Sequence, residues 1–365
     1  MLSLSICKNR EFDGMTEWEG KLLFSTFIYA FEAVVPLVLM ILFGYFLKRI
    51  GMFSDEFLSK GYSFCFRIAL PCLLFCNVYT IESFSDIDFR TVLYALVIIC
   101  ALFGIGSVLA VLFIKDKRQR GPVIQCFFRS NCAVLGVSLT ESLGGTHALQ
   151  CAAVLTAFSI PLFNVLAVIA LTAFLDGDGE KKRGLAAIDW KRIGKKIVTN
   201  PLIIGVMLGF LCLIIRNLLP LNASGEPIFL LSRDVNILYA VISNVSKIAS
   251  PLMMLILGGQ FSFSAVKTMK GQIALGVFGR IILAPILAIG VGYLLSSMGI
   301  MTLGKPEYAS FIALFASPVA ISSAIMAREM GNDEVLAGQI VVFTSIGSVF
   351  TVFLFAMLFR SLGLL

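Results

Sequence analysis

Two polar runs interrupt long apolar stretches of this chain: Arg129-Ser130-Asn131-Cys132, and Ser317-Pro318 with Ser322 about one helical turn later. A guanidinium, several hydroxyls and an amide make a donor-rich set suited to a carboxylate or another small anion. Helical segments that begin after Asn131 and Pro318 would add backbone N–H groups and the positive ends of two helix dipoles. The competing reading is plainer: Pro318 kinks a helix and Asn131 bridges neighbours. Four basic residues fall inside apolar runs (Arg67, Arg129, Lys247 and Arg280), against only Glu32 and Glu141. Ionisable groups inside a membrane are costly and mark pathways or partners. Arg129 is the one assigned to substrate, with snorkelling or structural pairing as its alternative. Arg67 with Pro71, Lys247 with Pro251, and Arg280 are assigned structural or secondary roles, the first two pairs because each base can bind carbonyls that the proline releases.

Other chemistries fail. His147 stands alone, so no metal site is expected. No Walker loop is present, and Gly136-Val137-Ser138-Leu139-Thr140 lacks the second glycine of a nucleophile elbow. Eight of the nine cysteines, an odd number, lie in apolar runs and read as small hydrophobes. No enzyme activity and no cofactor is called for.

The elements that position these residues follow from composition. The 365 residues are 58% apolar and 14% charged, with a mean hydropathy of +0.95. Soluble domains run roughly 45–50% apolar and about 25% charged. The chain is therefore an all-α polytopic membrane protein, not a nucleic-acid binder or a soluble enzyme. Ten transmembrane helices are predicted, at 26–47, 57–78, 91–114, 122–143, 149–174, 200–218, 236–258, 272–295, 307–327 and 335–358. Seventeen basic residues flank these spans on one side and eight on the other, tails included. The positive-inside rule then puts both termini outside the cell membrane and a basic linker, 176–199, in the cytoplasm. Residues 1–25, acidic and without an apolar core, read as an extracytoplasmic tail and not as a signal peptide.

The halves 26–175 and 200–359 repeat one another. Pro36-Leu37…Gly44-Tyr45 answers Pro201-Leu202…Gly209-Phe210, and Arg67-Ile68-Ala69-Leu70-Pro71 answers Lys247-Ile248-Ala249-Ser250-Pro251. Gly104-Ile105-Gly106 answers Gly290-Val291-Gly292, and Phe128…Ala133 answers Phe315…Ala320. Five spans per half is odd, so the second repeat is inverted, as in many secondary transporters. Helices 4 and 9 are then discontinuous and cross at the repeat axis.

The sequence resembles the auxin efflux carrier family, which includes plant auxin carriers and bacterial permeases for malate- or malonate-like acids. The resemblance rests on Gly44-Tyr45-Phe46-Leu47-Lys48-Arg49, on Arg67…Leu70-Pro71-Cys72-Leu73-Leu74-Phe75, on Asn131…Leu135-Gly136, and on Ser317-Pro318-Val319-Ala320 with Ala327-Arg328-Glu329-Met330-Gly331. It spans residues 30 to 358. It implies a scaffold of helices 1, 2, 6 and 7, a transport domain of 3–5 and 8–10, and an elevator-like movement. Ser130 stands where plant carriers have proline and Ser138 where the family commonly has it, which implies a softer break in helix 4. The function expected is secondary active or potential-driven transport, with efflux as the direction, of a small organic anion such as a carboxylate or indole acid. A cation/proton antiporter and a ligand sensor on the same fold are the alternatives; the lack of a mid-span carboxylate weighs against the first. Expected partners are the anion, the lipid bilayer and, as an assembly to test, a second copy in a homodimer.

Overall fold

The computed structural model describes residues 35, 36, 38–80, 89–175, 190–220 and 227–365. The tail 1–25, the start of the first predicted span with Glu32, and linker residues 176–189 lie outside that set, as do the side chains of Ser138 and Glu141. The described residues are mostly helical, with isolated bridge residues but no strand. In chain order the helices used below are α1 (38–49), α2 (Asp55–Tyr79), α3 (Phe89–Phe113), α4 (Lys117–Phe128) and α5 (Cys132–Ala173). They continue as α6 (Trp190–Val198), α7 (Pro201–Leu218), α8 (Asn236–Gly259), α9 (Lys270–Ser297), α10 (Lys305–Phe311), α11 (Ser322–Glu329) and α12 (Glu334–Ser361).

Seven helices among the described residues are long and apolar enough to cross a membrane. The other three predicted spans fall short for identifiable reasons. The first is described only in part, and the fourth and ninth are each broken in the middle. The long helix α5 turns at Gly145, whose φ of 72° suits only glycine at low cost. The last third of the predicted linker is not loop but the short basic helix α6.

Proline handling shapes the spans. Widened π turns at Cys65–Ala69, Gly279–Leu283 and Ile312–Ala316 each end two residues before a proline, namely Pro71, Pro285 and Pro318. A proline ring clashes with the carbonyl four residues back and lacks an N–H; a locally wider turn relieves both problems. The chain thus uses backbone geometry where the sequence analysis invoked Arg67. Arg67 and Lys247 are both exposed, and neither donates a hydrogen bond to a carbonyl among the described residues.

Packing gathers the helices into two groups. Helix α2 lies against α7 and α8, while α3 packs on α4, α4 on α5 and α9, and α5 on α10. In the first group backbones approach closely at glycine. A Cβ at Gly44 would stand 2.0 Å from the Leu255 carbonyl oxygen, and one at Gly258 would stand 1.8 Å from that of Ile41. A Cβ at Gly209 would meet the Phe75 carbonyl oxygen at 3.0 Å. Outward faces stay apolar, as at Ile237, 85% exposed, which suits contact with lipid.

Candidate functional site

Helix α4 ends at Phe128 because Arg129 is extended (φ −86°, ψ 111°), and helix resumes only at Cys132. The break is therefore complete without a proline at position 130, contrary to the softer break implied by Ser130. On the other side, α10 and its π turn end at Ala316, Ser317 is extended (φ −70°, ψ 159°), and α11 begins at Ser322. The two interruptions meet as a short antiparallel bridge. Asn131 N–H donates to the Pro318 carbonyl at 3.0 Å, Ala320 N–H to the Arg129 carbonyl at 3.4 Å, and the Ser130 and Ser317 hydroxyls lie 3.0 Å apart. Val319 N–H donates to Thr344 Oγ1 at 3.3 Å. The freed backbone groups thus bind one another, as an apolar surround demands.

Two arginines serve this crossing differently. Arg280 is fully buried and donates to the Ser317 and Leu314 carbonyls at 2.7 and 2.8 Å. It caps acceptors that the break released. Arg129 is 4% exposed. It donates to Gln125 Oε1 at 2.9 Å, Asn164 Oδ1 at 3.0 Å and Ser322 Oγ at 3.0 Å, and also touches Met326 sulfur. Every one of these partners is neutral.

Beside Arg129 lies a small, partly open cleft of about 60 Å³. Of the residues singled out in the sequence, Arg129, Ser130, Asn131 and Ser322 line it. Cys132, Ser317 and Pro318 are buried in the crossing and do not line it. Pro71 and Pro251 sit on α2 and α8 beside cleft-lining Leu70 and Ser250. Asn131 Nδ2 is buried without a hydrogen-bond partner, a donor left over at the cleft wall. The rest of the lining is mostly apolar, including Leu70, Leu74, Ile160, Phe163 and Met253. Sequence reasoning missed Asn164, Asn77 and Ser250. Asn164 had a usable signal, an amide deep inside the apolar run of α5 beyond Gln150; Asn77 and Ser250 had none beyond their polarity.

The set has a clear chemical capacity. A guanidinium with neutral partners and a spare amide donor favour an anion, and the apolar walls favour a body without further charge. Among the described residues, no Asp or Glu lines the cleft.

Residues 29–356 match the model of a family described as membrane transport protein. A protein from Methanothermobacter thermautotrophicus, described as an uncharacterized transporter, is 22% identical over 327 residues, covering 88% of this chain and 95% of the relative.

Proposed function

Because the chain belongs to the membrane transport protein family, the auxin efflux carrier family that its motifs resemble, we propose that it carries a small organic anion across the cell membrane by secondary or potential-driven transport. The observation that carries this reading is Arg129, a buried charge with only neutral partners at the edge of a cleft. A carboxylate there supplies the missing counter-charge. The apolar lining supports an acid with an apolar body, such as an indole acid, over a compact dicarboxylate.

The movement we propose is elevator-like. Helices α1, α2, α7 and α8 are the scaffold; α3–α5 and α9–α12 are the transport domain and carry the crossing. Two inverted five-helix repeats with broken fourth and ninth spans give ten crossings in all. One packing detail supports the repeat. Aligning Arg67 with Lys247 pairs Phe75 with Leu255, and these are the residues under the equivalent glycines Gly209 and Gly44. Both termini lie outside and the basic linker inside. An impermeant thiol reagent should reach a cysteine at exposed Lys195 only from the cytoplasm.

The direct test is a thermal-shift screen of mono- and dicarboxylates, followed by counterflow of the best binder in proteoliposomes. Accelerated exchange of the radiolabelled acid is the expected result. Binding without counterflow would replace the transporter with a sensor.

A further inference from the structure

The segment Arg328-Glu329 does not touch the cleft, yet it makes contacts that span the two helix groups. Arg328 Nη2 donates to Ser59 Oγ of α2 at 2.9 Å, and its guanidinium carbon lies 4.7 Å from the centre of the Tyr62 ring. Next to it, Ser63 Oγ donates to Glu329 Oε1 at 3.1 Å. Tyr62 is fully buried and donates to Gln260 Oε1 at 2.7 Å, a bond between α2 and the end of α8.

We propose that Arg328 is a positioning residue for transport, a latch that holds the cleft shut toward the basic end of the molecule. The inference rests on the transporter reading above and on its division into a fixed and a moving group.

Placement is the first argument. Along α2, Ser59, Tyr62 and Ser63 come first, beside Lys60, and the cleft-lining Leu70 to Asn77 come later. At 1.5 Å per residue, the latch lies roughly 10 Å from the near edge of the cleft. Cys65 and Phe66 fill the stretch between and are buried. A solute leaving toward the basic end must pass this seam.

The charge pattern is the second argument. Arg328 also pairs with Glu334 at 3.4 Å, but Glu334 opens α12, in the same group as α11. The full ion pair therefore travels with the moving group. Across the seam each charged residue meets a neutral one: Arg328 meets Ser59 and the Tyr62 ring, and Glu329 meets Ser63. Sliding breaks charge–dipole and cation–π contacts without pulling opposite charges apart. Such contacts are strong enough to bias a two-state equilibrium and weak enough to reverse.

The test uses the full chain in proteoliposomes with Ser250→Cys as a reporter in the cleft wall. Labelling by an impermeant thiol reagent is read by mass spectrometry on the peptide after Lys247, which holds no native cysteine. Arg328→Ala should raise the labelling rate from the basic side roughly fivefold or more, as expected when a stabilising charged contact is lost from one of two states. Tyr62→Ala should act in the same direction. Tyr62→Phe keeps the ring under the guanidinium and loses only a bond within the scaffold, so it should label at the parental rate. The latch is refuted if Arg328→Ala and Tyr62→Ala label at the parental rate while eluting as the parent does and binding the acid. Raised labelling in a protein that exchanges no acid would instead retain the latch and remove the transporter reading.

Discussion

At the scale of single residues, the two buried arginines answer different needs, and substitution should separate them. Arg129→Gln keeps donors for Asn164 and Ser322 but deletes the charge. Losing a charge-assisted hydrogen bond to a carboxylate costs roughly 1.5–3 kcal/mol, or about 10- to 150-fold in affinity. Weaker acid binding with largely retained expression is expected, measured by isothermal titration in detergent. Asn131→Ala should weaken binding within the same range, because Nδ2 has no other partner to lose. Arg280→Gln should instead lower the melting temperature, since the Leu314 and Ser317 carbonyls then compete for fewer donors. If Arg280→Gln abolishes binding in a stable protein while Arg129→Gln binds normally, the two roles are reversed. The sequence made the crossing legible because charged and amide groups stand out in apolar runs. It assigned Arg129 to substrate and Arg280 to structure, but it did not reveal which carbonyls Arg280 faces or which cleft Arg129 borders, since that depends on how two distant breaks are stacked.

At the scale of helices, spacing placed most spans within a few residues, because eighteen or more apolar residues leave little choice. What spacing does not carry is where backbones touch. Gly44, Gly104, Gly258 and Gly290 look alike in the sequence, yet a Cβ at Gly104 or Gly290 meets nothing within 4 Å. At Gly44 and Gly258 it collides with a carbonyl at 2.0 and 1.8 Å. Gly104→Ala and Gly290→Ala should therefore be neutral or stabilise by about 0.4–1 kcal/mol, through lower unfolded-chain entropy. Gly44→Ala and Gly258→Ala should push α1 off α8 and destabilise by roughly 1–3 kcal/mol or more. Fluorescence-detected thermal melts of the four variants measure the contrast. Equal melting temperatures would show that α1 and α8 do not cross as closely as described. The π turns carry a similar lesson. Proline positions were visible, but whether a helix breaks, kinks or widens at each one depends on its neighbours.

At the scale of the molecule, the placement of charge sets how transport responds to voltage. Among the described residues no Asp or Glu lines the cleft, so the proposed transport is expected to need no co-transported proton or metal cation. If the proposed substrate is a monocarboxylate, the loaded and empty states of the proposed transport domain differ by its single negative charge. A full cycle of net transport moves that charge across the membrane. One elementary charge is worth about 2.3 kcal/mol per 100 mV, which corresponds to roughly a 50-fold concentration ratio. Net efflux should accordingly be driven by an inside-negative potential, set in proteoliposomes with a potassium gradient and an ionophore. One-for-one exchange of labelled for unlabelled acid moves no net charge and should proceed at zero potential. A pH gradient alone should drive little flux once the potential is clamped. The opposite result, flux that follows the pH gradient and ignores voltage, would require a titrating group to accompany the substrate. It would reinstate proton coupling and overturn the view that Arg129 balances the substrate's charge alone.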